Sequence, residues 1–365
     1  MTNRTTPVRV LIVDDSAVMR QLLASLLSDD PNIEVVGTAA DPHIARERIK
    51  ALNPDVVTLA VEMPHLDGLT FLRKIMTLRP MPVVMISTLT QRGADTTLEA
   101  LEIGAVDFIA KPSGDLASGL ADLAMELQRK VKAAAGVRVG VNRIAAAPQT
   151  PRPQQRPPRQ KEKIVFVGAS TGGVEAVKAL LMGLPADCPP TLVTQHMPPR
   201  FTGGFAERLD RQCPMRVSEA VHDEPIEHGH VYIAPGSHHL EIARVGARHV
   251  CRLSEGPPVS GHRPSVDVLF RSAARVVAKS AVGAILTGMG KDGAEGLFEL
   301  RQAGGMTLGQ DEESSLIYGM PRAAFERGAV MRQCSLAQMA DAILDACASG
   351  APRAAESVGH DADAA

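Results

Sequence analysis

The sequence predicts an α/β protein with two domains, each built on a parallel β-sheet. Short apolar runs rich in Val and Ile alternate with segments in which apolar residues recur at helical spacing, a pattern typical of parallel sheets covered on both faces. A length of 365 residues fits two domains, and a proline-rich stretch separates two such regions. We predict a first domain over residues 7–128, a linker over 129–161, a second domain over 162–350 and a disordered tail over 351–365.

The composition excludes several classes of protein. Hydrophobic residues make up 45% of the chain and the net charge is −2, so the charge balance does not favour a nucleic-acid partner. No apolar run approaches the roughly 18 residues of a membrane-spanning helix, and the amino terminus lacks the apolar segment of a signal peptide. Five widely spaced cysteines favour a reducing compartment. We expect a cytoplasmic protein that neither inserts into membranes nor binds nucleic acid.

Strands and helices alternate five times in the first domain. The predicted strands are residues 8–13, 33–38, 56–61, 83–87 and 106–110. The predicted helices are residues 16–27, 43–52, 68–78 and 94–103, and a last helix begins near Leu116. The strict alternation predicts a parallel sheet of five strands.

Polar residues follow three of these strands. Asp14 and Asp15 follow the first strand, Ser87 ends the fourth and Lys111 follows the fifth. Each residue alone is also typical of a helix cap or a solvated loop. Their shared position at strand carboxyl ends favours a binding site, because ligands bind at that edge of a parallel sheet. Adjacent carboxylates suit a hard ion such as Mg²⁺.

Residues 8–128 resemble the receiver domain of two-component response regulators, which has a flavodoxin-like fold. The resemblance rests on the segments 13–16 (Val-Asp-Asp-Ser), 62–64 (Glu-Met-Pro) and 67–68 (Asp-Gly), and on Ser87 and Lys111-Pro112. It implies that Asp14 and Asp15 bind Mg²⁺, that Lys111 contacts a phosphoryl group, and that a chemotaxis histidine kinase is the phosphodonor.

The sequence departs from the receiver pattern at the phosphate-accepting aspartate, where it has Ala60. A methyl group neither forms an acyl phosphate nor binds a metal ion, so phosphorylation at this position is chemically excluded and Mg²⁺ binding should be weak. Asp55 opens the strand at its opposite end and Glu62 falls two residues beyond Ala60. We expect neither of them to replace the missing acceptor.

The second domain is organised around residues 168–173, Gly-Ala-Ser-Thr-Gly-Gly. Residues 164–167 predict a buried strand and residues 174–184 predict a helix, which places Ser170 at a strand end facing a helix amino terminus. The Gly-x-Ser-x-Gly spacing fits a nucleophile elbow. A turn of this kind also binds phosphate or simply reverses the chain. A dinucleotide site is disfavoured because the stretch lacks Gly-x-Gly-x-x-Gly.

Two more polar residues follow predicted strands of this domain. His196 ends the strand 191–196, and Asp292 lies in a glycine-rich turn after the strand 281–287. A serine, a histidine and an aspartate at one sheet edge suit nucleophilic catalysis, because the imidazole takes the hydroxyl proton and the carboxylate orients the imidazole. Alternatively, His196 is an ordinary strand-end histidine and Asp292 caps the predicted helix 294–302. Residues 215–253 predict an antiparallel ribbon or a sheet edge, and residues 265–279 an amphipathic helix.

Residues 164–348 resemble the catalytic domain of chemotaxis protein-glutamate methylesterases. The matching segments are 168–173, 195–198, 234–236, 262–267, 287–293 and 319–321. The resemblance implies a serine hydrolase, without a cofactor for catalysis, that demethylates glutamate methyl esters on chemoreceptors and deamidates particular receptor glutamines under control of its receiver. It also implies that the backbone N–H of Met289 stabilises the oxyanion. An inactive signalling module is disfavoured because Ser170, His196 and Asp292 are all present.

Overall fold

The predicted α/β architecture is confirmed. The computed structural model describes residues 6–63, 68–88, 90–111, 116–137, 139 and 163–348, which form two α/β units. Most of the predicted linker and the whole predicted tail lie outside the described residues. None of the described helices is both long and apolar enough to cross a membrane.

The first unit is a parallel sheet of five strands in the order β2-β1-β3-β4-β5. Its strands are β1 (Val8–Val13), β2 (Ile33–Ala39), β3 (Val56–Ala60), β4 (Val83–Ser87) and β5 (Asp107–Ala110). Its helices are α1 (Ala17–Ser28), α2 (Pro42–Leu52), α3 (Gly68–Leu78), α4 (Gln91–Ile103) and α5 (Leu116–Ala135). The Val- and Ile-rich strands are buried because helices cover both faces of the sheet. This is the flavodoxin-like order in which strand 1 lies between strands 2 and 3.

Helix α5 continues beyond residue 128, so the predicted start of the linker at residue 129 lies inside a helix. Leu127 and Val131 are fully buried one turn apart and pack on the core of the first unit. The intervening and following residues are mostly Lys, Arg and Ala, which favour helix, and the helix ends at Ala135 just before Gly136. The apolar face of α5 therefore extends the first domain by about two turns.

The second unit is a parallel sheet of seven strands in the order β14-β13-β12-β6-β7-β9-β8. Its strands are β6 (Ile164–Ala169), β7 (Thr191–Gln195), β8 (Arg216–Glu219), β9 (His230–Ile233), β12 (Ala281–Ile285), β13 (Met306–Gln310) and β14 (Arg332–Cys334). Its helices are α6 (Gly173–Met182), α7 (Pro199–Gln212), α8 (Val266–Val276), α9 (Ala294–Gln302), α10 (Met320–Glu326) and α11 (Leu336–Ala348). Buried clusters lie on both faces of the sheet, so the domain is doubly wound as predicted.

The segment 215–253 contains both of the structures that its sequence predicts. Strands β8 and β9 pair in parallel and form one edge of the large sheet. Strands β10 (His239–Val245) and β11 (Arg248–Ser254) form a separate antiparallel ribbon. The ribbon packs on α8 through its buried residues Leu240, Ile242 and Cys251.

The two units contact each other through α4 and β5 of the first and through α6 and α7 of the second. The rings of Phe108 and Phe201 lie 4.5 Å apart between their centroids. The Glu102 carboxylate accepts two hydrogen bonds from the Arg208 guanidinium, at 2.9 and 2.5 Å, and lies 3.3 Å from Lys178 Nζ. An apolar contact with an ion cluster beside it therefore joins the domains.

Candidate active site

Ser170 lies at the carboxyl end of β6, in the middle of the seven-stranded sheet. Its N–H donates to the Thr287 carbonyl at 3.0 Å, and its own carbonyl accepts from the N–H of Gly173 at 2.7 Å. The Gln195 side-chain amide donates to the same carbonyl at 2.9 Å. Gly172 has φ +77°, a conformation that favours glycine and that allows the strand to turn sharply into α6. The predicted strand–turn–helix around Ser170 is therefore present.

The second glycine-rich turn follows β12 and touches the first. A Cβ atom on Gly288 would lie 2.8 Å from Ser170 Cβ, so only glycine permits the two turns to approach this closely. Among the described residues, none accepts a hydrogen bond from the N–H of Met289 or from the N–H of Thr171, the residue after the serine. Two backbone donors, one from each turn, are therefore available beside Ser170, as an oxyanion hole requires.

His196 and Asp292 are brought together by the ends of β7 and β12. His196 Nε2 lies 2.8 Å from Asp292 Oδ2, and both side chains are almost completely buried. His196 Nδ1 is also buried, and it has no hydrogen-bond partner among the described residues. The Asp292 bond therefore uses one ring nitrogen and leaves Nδ1 as the nitrogen available to a serine hydroxyl.

Asp292 does not cap α9, in contrast to the alternative drawn from its position in sequence. The residue before α9 is Gly293, with no side-chain cap. Asp292 instead reaches the amino terminus of α8, where it accepts hydrogen bonds from the hydroxyl of Ser265 at 2.8 Å and from the N–H groups of Val266 and Asp267 at 2.7 and 3.1 Å. The free N–H groups of α8 satisfy the carboxylate, because helix amino termini bind negative charge.

These contacts determine the charge of Asp292. Burial acts to raise the pKa of its carboxyl, but the hydrogen bond and charge of His196 and the donors of α8 outweigh burial and lower the pKa to about 2. The carboxylate is therefore ionised at neutral pH, where it accepts the hydrogen bond from the His196 ring. Such a group stabilises a protonated histidine without itself taking the proton.

The hydroxyl of Ser170 makes no hydrogen bond to the described residues, and it lines the same cavity as His196. The structure therefore brings His196 and Asp292 into contact and places Ser170 on the same cavity wall, but it does not contain a serine–histidine hydrogen bond. Such bonds are often long or absent before substrate binds and form in the substrate complex.

The cavity has a volume of about 940 Å³ and lies between the two domains. The second domain contributes Ser170, Thr171, His196 and His262, and the first domain contributes residues of β5 and α5, including Asp107, Met125 and Arg129. A volume of this size is typical of small-molecule sites. The receiver-like domain thus forms one wall of the site that contains Ser170.

A hydrogen bond links this wall directly to the turn after Ser170. The Thr171 hydroxyl donates to Asp107 Oδ2, and Asp107 Oδ1 lies 3.1 Å from Lys130 Nζ. Lys130 also pairs with Glu126 at 2.8 Å, and the two carboxylates raise its pKa although burial acts to lower it. The first domain therefore contacts the residue whose N–H is a candidate oxyanion donor.

The residues predicted for the receiver pocket are only partly brought together. Lys111 Nζ lies 2.8 Å from Asp14 Oδ2, whereas Asp15 is exposed and Ala60 is fully buried at the end of β3. Ser87 is buried and its hydroxyl bonds to α4, with the Thr97 hydroxyl at 2.6 Å. The contacts that the structure gives for Ser87 therefore lie away from the Asp14–Lys111 pair.

The described carboxyl groups near the receiver pocket do not form a complete ligand set for Mg²⁺. Asp14 Oδ2 is buried and makes no hydrogen bond to the described residues, and its one close contact is the Lys111 ammonium at 2.8 Å, while Asp14 Oδ1 accepts from the Ser16 N–H at 2.9 Å. The described residues include no cluster of three or more His, Cys, Asp or Glu side chains able to hold a metal ion. The two carboxylates nearest to Ala60 in sequence have other contacts. Glu62 accepts a hydrogen bond from the Thr88 hydroxyl at 3.2 Å, and Asp55 accepts one from the Arg9 N–H at the opposite end of β3.

Two residues of the site were not assigned a role from the sequence. His262 stacks on His196, with ring centroids 3.8 Å apart and an angle of 12° between the rings. Ser265 is the N-cap of α8 and holds Asp292. A serine directly before an amphipathic helix is a recognisable cap signal, so Ser265 was within reach of sequence reasoning. Nothing in the sequence pattern predicts the stacking of two histidines 66 positions apart.

Comparisons with known proteins agree with this architecture. The family model for the response regulator receiver domain matches residues 10–118, and the model for CheB methylesterase matches residues 165–343. The catalytic domain in the crystal structure of Thermotoga maritima CheB methylesterase is similar to the second unit, with 34% identity and a TM-score of 0.50 over 51% of this chain and 99% of that one. The class of protein is therefore a response-regulator receiver joined to a hydrolase of the methylesterase type.

Full-length relatives identify the family within that class. A protein-glutamate methylesterase/protein-glutamine glutaminase of Caulobacter vibrioides is 56% identical over 345 residues, 93% of this chain and 97% of that protein. Another, from Xanthomonas campestris pv. campestris, is 54% identical over 347 residues, 93% of this chain and 97% of that protein. The chain belongs to the family of protein-glutamate methylesterases/protein-glutamine glutaminases, which confirms the family predicted from its motifs.

Proposed function

We propose that this protein hydrolyses glutamate methyl esters on chemoreceptors, and deamidates particular receptor glutamines, through a covalent intermediate on Ser170. The observation that carries the proposal is the His196–Asp292 hydrogen bond, which leaves the buried Nδ1 of His196 with no hydrogen-bond partner among the described residues, at the cavity shared with Ser170. The relatives of the chain bear the names of both activities.

In the first step, Ser170 Oγ attacks the γ-carbonyl carbon of the substrate while His196 Nδ1 accepts the hydroxyl proton. The imidazolium that forms is stabilised at Nε2 by the Asp292 carboxylate, 2.8 Å away. A low pKa keeps that carboxylate charged throughout the step, as transition-state stabilisation requires.

The tetrahedral intermediate carries a negative charge on the former carbonyl oxygen. The N–H groups of Met289 and Thr171 are the donors available for this oxygen, because each belongs to one of the two turns that meet at Ser170. Removing one donor of this kind typically costs about 10²- to 10³-fold in kcat.

The intermediate then collapses, the bond between the carbonyl carbon and the leaving group breaks, and His196 returns its proton to the departing methanol. In deamidation the leaving group is ammonia. Water, deprotonated by His196, attacks the acyl group and releases glutamate and the Ser170 hydroxyl. Side chains and backbone donors of the chain perform each step, so the proposal includes no cofactor.

The receiver domain regulates access in this proposal. Its α5 forms a wall of the cavity, so an ester carried on a receptor helix, roughly 10 Å wide, reaches Ser170 only when the domains move apart. In the family the phosphodonor is a chemotaxis histidine kinase. Ala60 removes the acceptor, so we propose that domain separation in this protein does not depend on a phosphoryl group at residue 60. Mg²⁺ binds the receiver weakly at most, because Ala60 supplies no carboxylate ligand and the Lys111 ammonium pairs with Asp14.

Methanol release from membranes that contain methylated chemoreceptors tests the function. Wild-type protein should release methanol, and Ser170→Ala should not, while circular dichroism shows the same fold for both. Release by Ser170→Ala at more than a few per cent of the wild-type rate would refute Ser170 as the nucleophile. Absence of release by the wild type would refute the substrate class.

A further inference from the structure

His262 stacks face to face on the catalytic-site histidine. The two rings are nearly parallel, at 12°, and their centroids are 3.8 Å apart. His262 belongs to the loop that precedes α8, and its backbone pairs with Val259 through two hydrogen bonds of 2.9 and 3.0 Å. The ring that covers His196 is therefore held on a fixed backbone.

The same loop also leads into the residues that hold Asp292, the hydrogen-bond partner of His196. Three residues after His262, Ser265 and the first N–H groups of α8 hold the Asp292 carboxylate that bonds to His196 Nε2. One short segment, 262–267, thus contacts the ring face of His196 directly and its Nε2 atom through Asp292.

The contact that the structure shows between His262 and His196 is made by the aromatic ring. Among the described residues, no hydrogen bond involves either of its ring nitrogens. Burial lowers the pKa of His262 to about 3, helped by the nearby His196 and Arg129 and opposed by Asp292 and Glu126. At neutral pH the ring is uncharged and offers an aromatic face that does not repel a protonated His196.

A single hydrogen bond does not fix the plane of an imidazole. The terminal torsion of histidine is broad, so the ring of His196 can rotate about the Nε2–Asp292 contact and swing Nδ1 away from Ser170. A parallel ring at 3.8 Å limits that rotation because a tilted His196 would collide with it.

We propose that His262 is a positioning residue that holds the His196 ring in the plane in which Nδ1 faces Ser170. This inference rests on the proposed function, because it assigns His196 the role of proton acceptor. Loss of the ring should lower kcat and leave KM within about twofold, because the ring acts on His196, on which it stacks, even though it also lines the cavity. We expect kcat to fall by roughly 10- to 100-fold. The lower bound corresponds to the free energy of one aromatic pair, and the upper bound to the rate loss when a catalytic group is misplaced.

Three substitutions in the full-length protein separate stacking from other roles. His262→Ala removes the ring, His262→Gln keeps polar atoms without a ring, and His262→Phe keeps an aromatic face without titratable nitrogens. We expect kcat to fall in the Ala and Gln variants and to recover in the Phe variant to within about threefold of wild type. His222→Ala is the matched control, because His222 lies on the surface of the same domain and bonds to the Leu253 backbone.

Each outcome decides the proposal. Wild-type kcat in His262→Ala would overturn it, and so would a Phe variant as slow as the Ala variant or a change confined to KM. The labelling rate of Ser170 by a small fluorophosphonate, measured on the same proteins, should follow the same order. Since that rate does not require a receptor substrate, it tests His262 even if no methanol is released, which separates failure of this inference from failure of the proposed substrate.

Discussion

The ion cluster around Glu102 should stabilise docking of the receiver over the cavity that contains Ser170. Glu102 lies on α4 of the receiver and accepts both hydrogen bonds from Arg208 on α7 of the catalytic domain. Each of these side chains is about one-fifth exposed. A hydrogen bond to a charged group contributes about 1.5–3 kcal/mol, and partial exposure favours the lower end of that range. Glu102→Gln should therefore weaken domain docking by about 1.5 kcal/mol, roughly tenfold in the docking equilibrium.

The assay is the initial rate of methanol release from methylated receptor membranes, with a small soluble ester measured in parallel. If the docked receiver excludes receptor helices, Glu102→Gln should raise the rate on membranes by up to tenfold and leave the rate on the small ester unchanged. Glu99→Gln is the matched control, because Glu99 lies on the same helix and bonds to Arg73 of the receiver itself at 2.6 Å, and it reaches Arg208 only through its charge. Equal rates for the two variants on membranes would refute the role of this contact in docking.

The same contact predicts a dependence on pH. Burial acts to raise the pKa of Glu102, but the hydrogen bonds of Arg208 and Gln212 and the charge of Lys178 outweigh burial and lower it. A carboxyl whose pKa is lower in the docked state stabilises docking above its ordinary pKa of about 4.3, and this stabilisation is lost as the pH falls through the docked value. Docking should therefore loosen only in acid. Small-angle X-ray scattering of the inactive Ser170→Ala protein between pH 7 and pH 3 measures this opening of the two domains, and an opening centred near neutrality would contradict the prediction.

Other substitutions test the site and the receiver. Asp292→Asn and His196→Ala should each lower kcat by roughly 10³- to 10⁴-fold. The double variant should be little worse than the slower single variant, because the two groups act as a unit with Ser170. If the two losses multiplied independently, the proposed coupling of the three residues would be wrong. Ala60→Asp should restore uptake of radiolabel from acetyl phosphate, whereas stable label in the Ala60 protein would show that another residue is the acceptor. Thiol reagents should react slowly with Cys188, because burial raises its pKa to about 12; fast modification of the native protein would disprove its burial.

Local sequence patterns predicted the fold well because the strands are continuous apolar runs. The segment from Ile164 to Ala169 is buried throughout, and its β-branched residues leave little choice between strand and helix. The turn after it was equally clear, since glycines follow Ser170 at fixed spacing. Helix α7 was not predicted, because it opens with two prolines and contains two adjacent glycines. It forms because Phe201, Phe205 and Leu209 bury one face in the core.

Contacts between distant segments were beyond sequence reasoning. The proximity of Asp292 to the sheet edge was predictable, but its binding to the amino terminus of α8 was not, because the helix directly after it offered a nearer cap. The wall that the first domain contributes to the cavity depends on how α5 packs. The prediction ended this domain at residue 128, whereas α5 continues to Ala135. The receiver motif was recognised from its residues. The pairing of Lys111 with Asp14 is a property of the folded pocket.

Covalent labelling of Ser170 tests the proposed nucleophile most directly. Full-length protein is treated with a serine-reactive fluorophosphonate, digested and examined by peptide mass spectrometry, while methanol release is followed in the same sample. We predict one label per chain, on Ser170, with release lost in proportion to labelling and with labelling abolished in His196→Ala. A label on another residue, or methanol release that persists after Ser170 is fully labelled, would contradict the proposed mechanism.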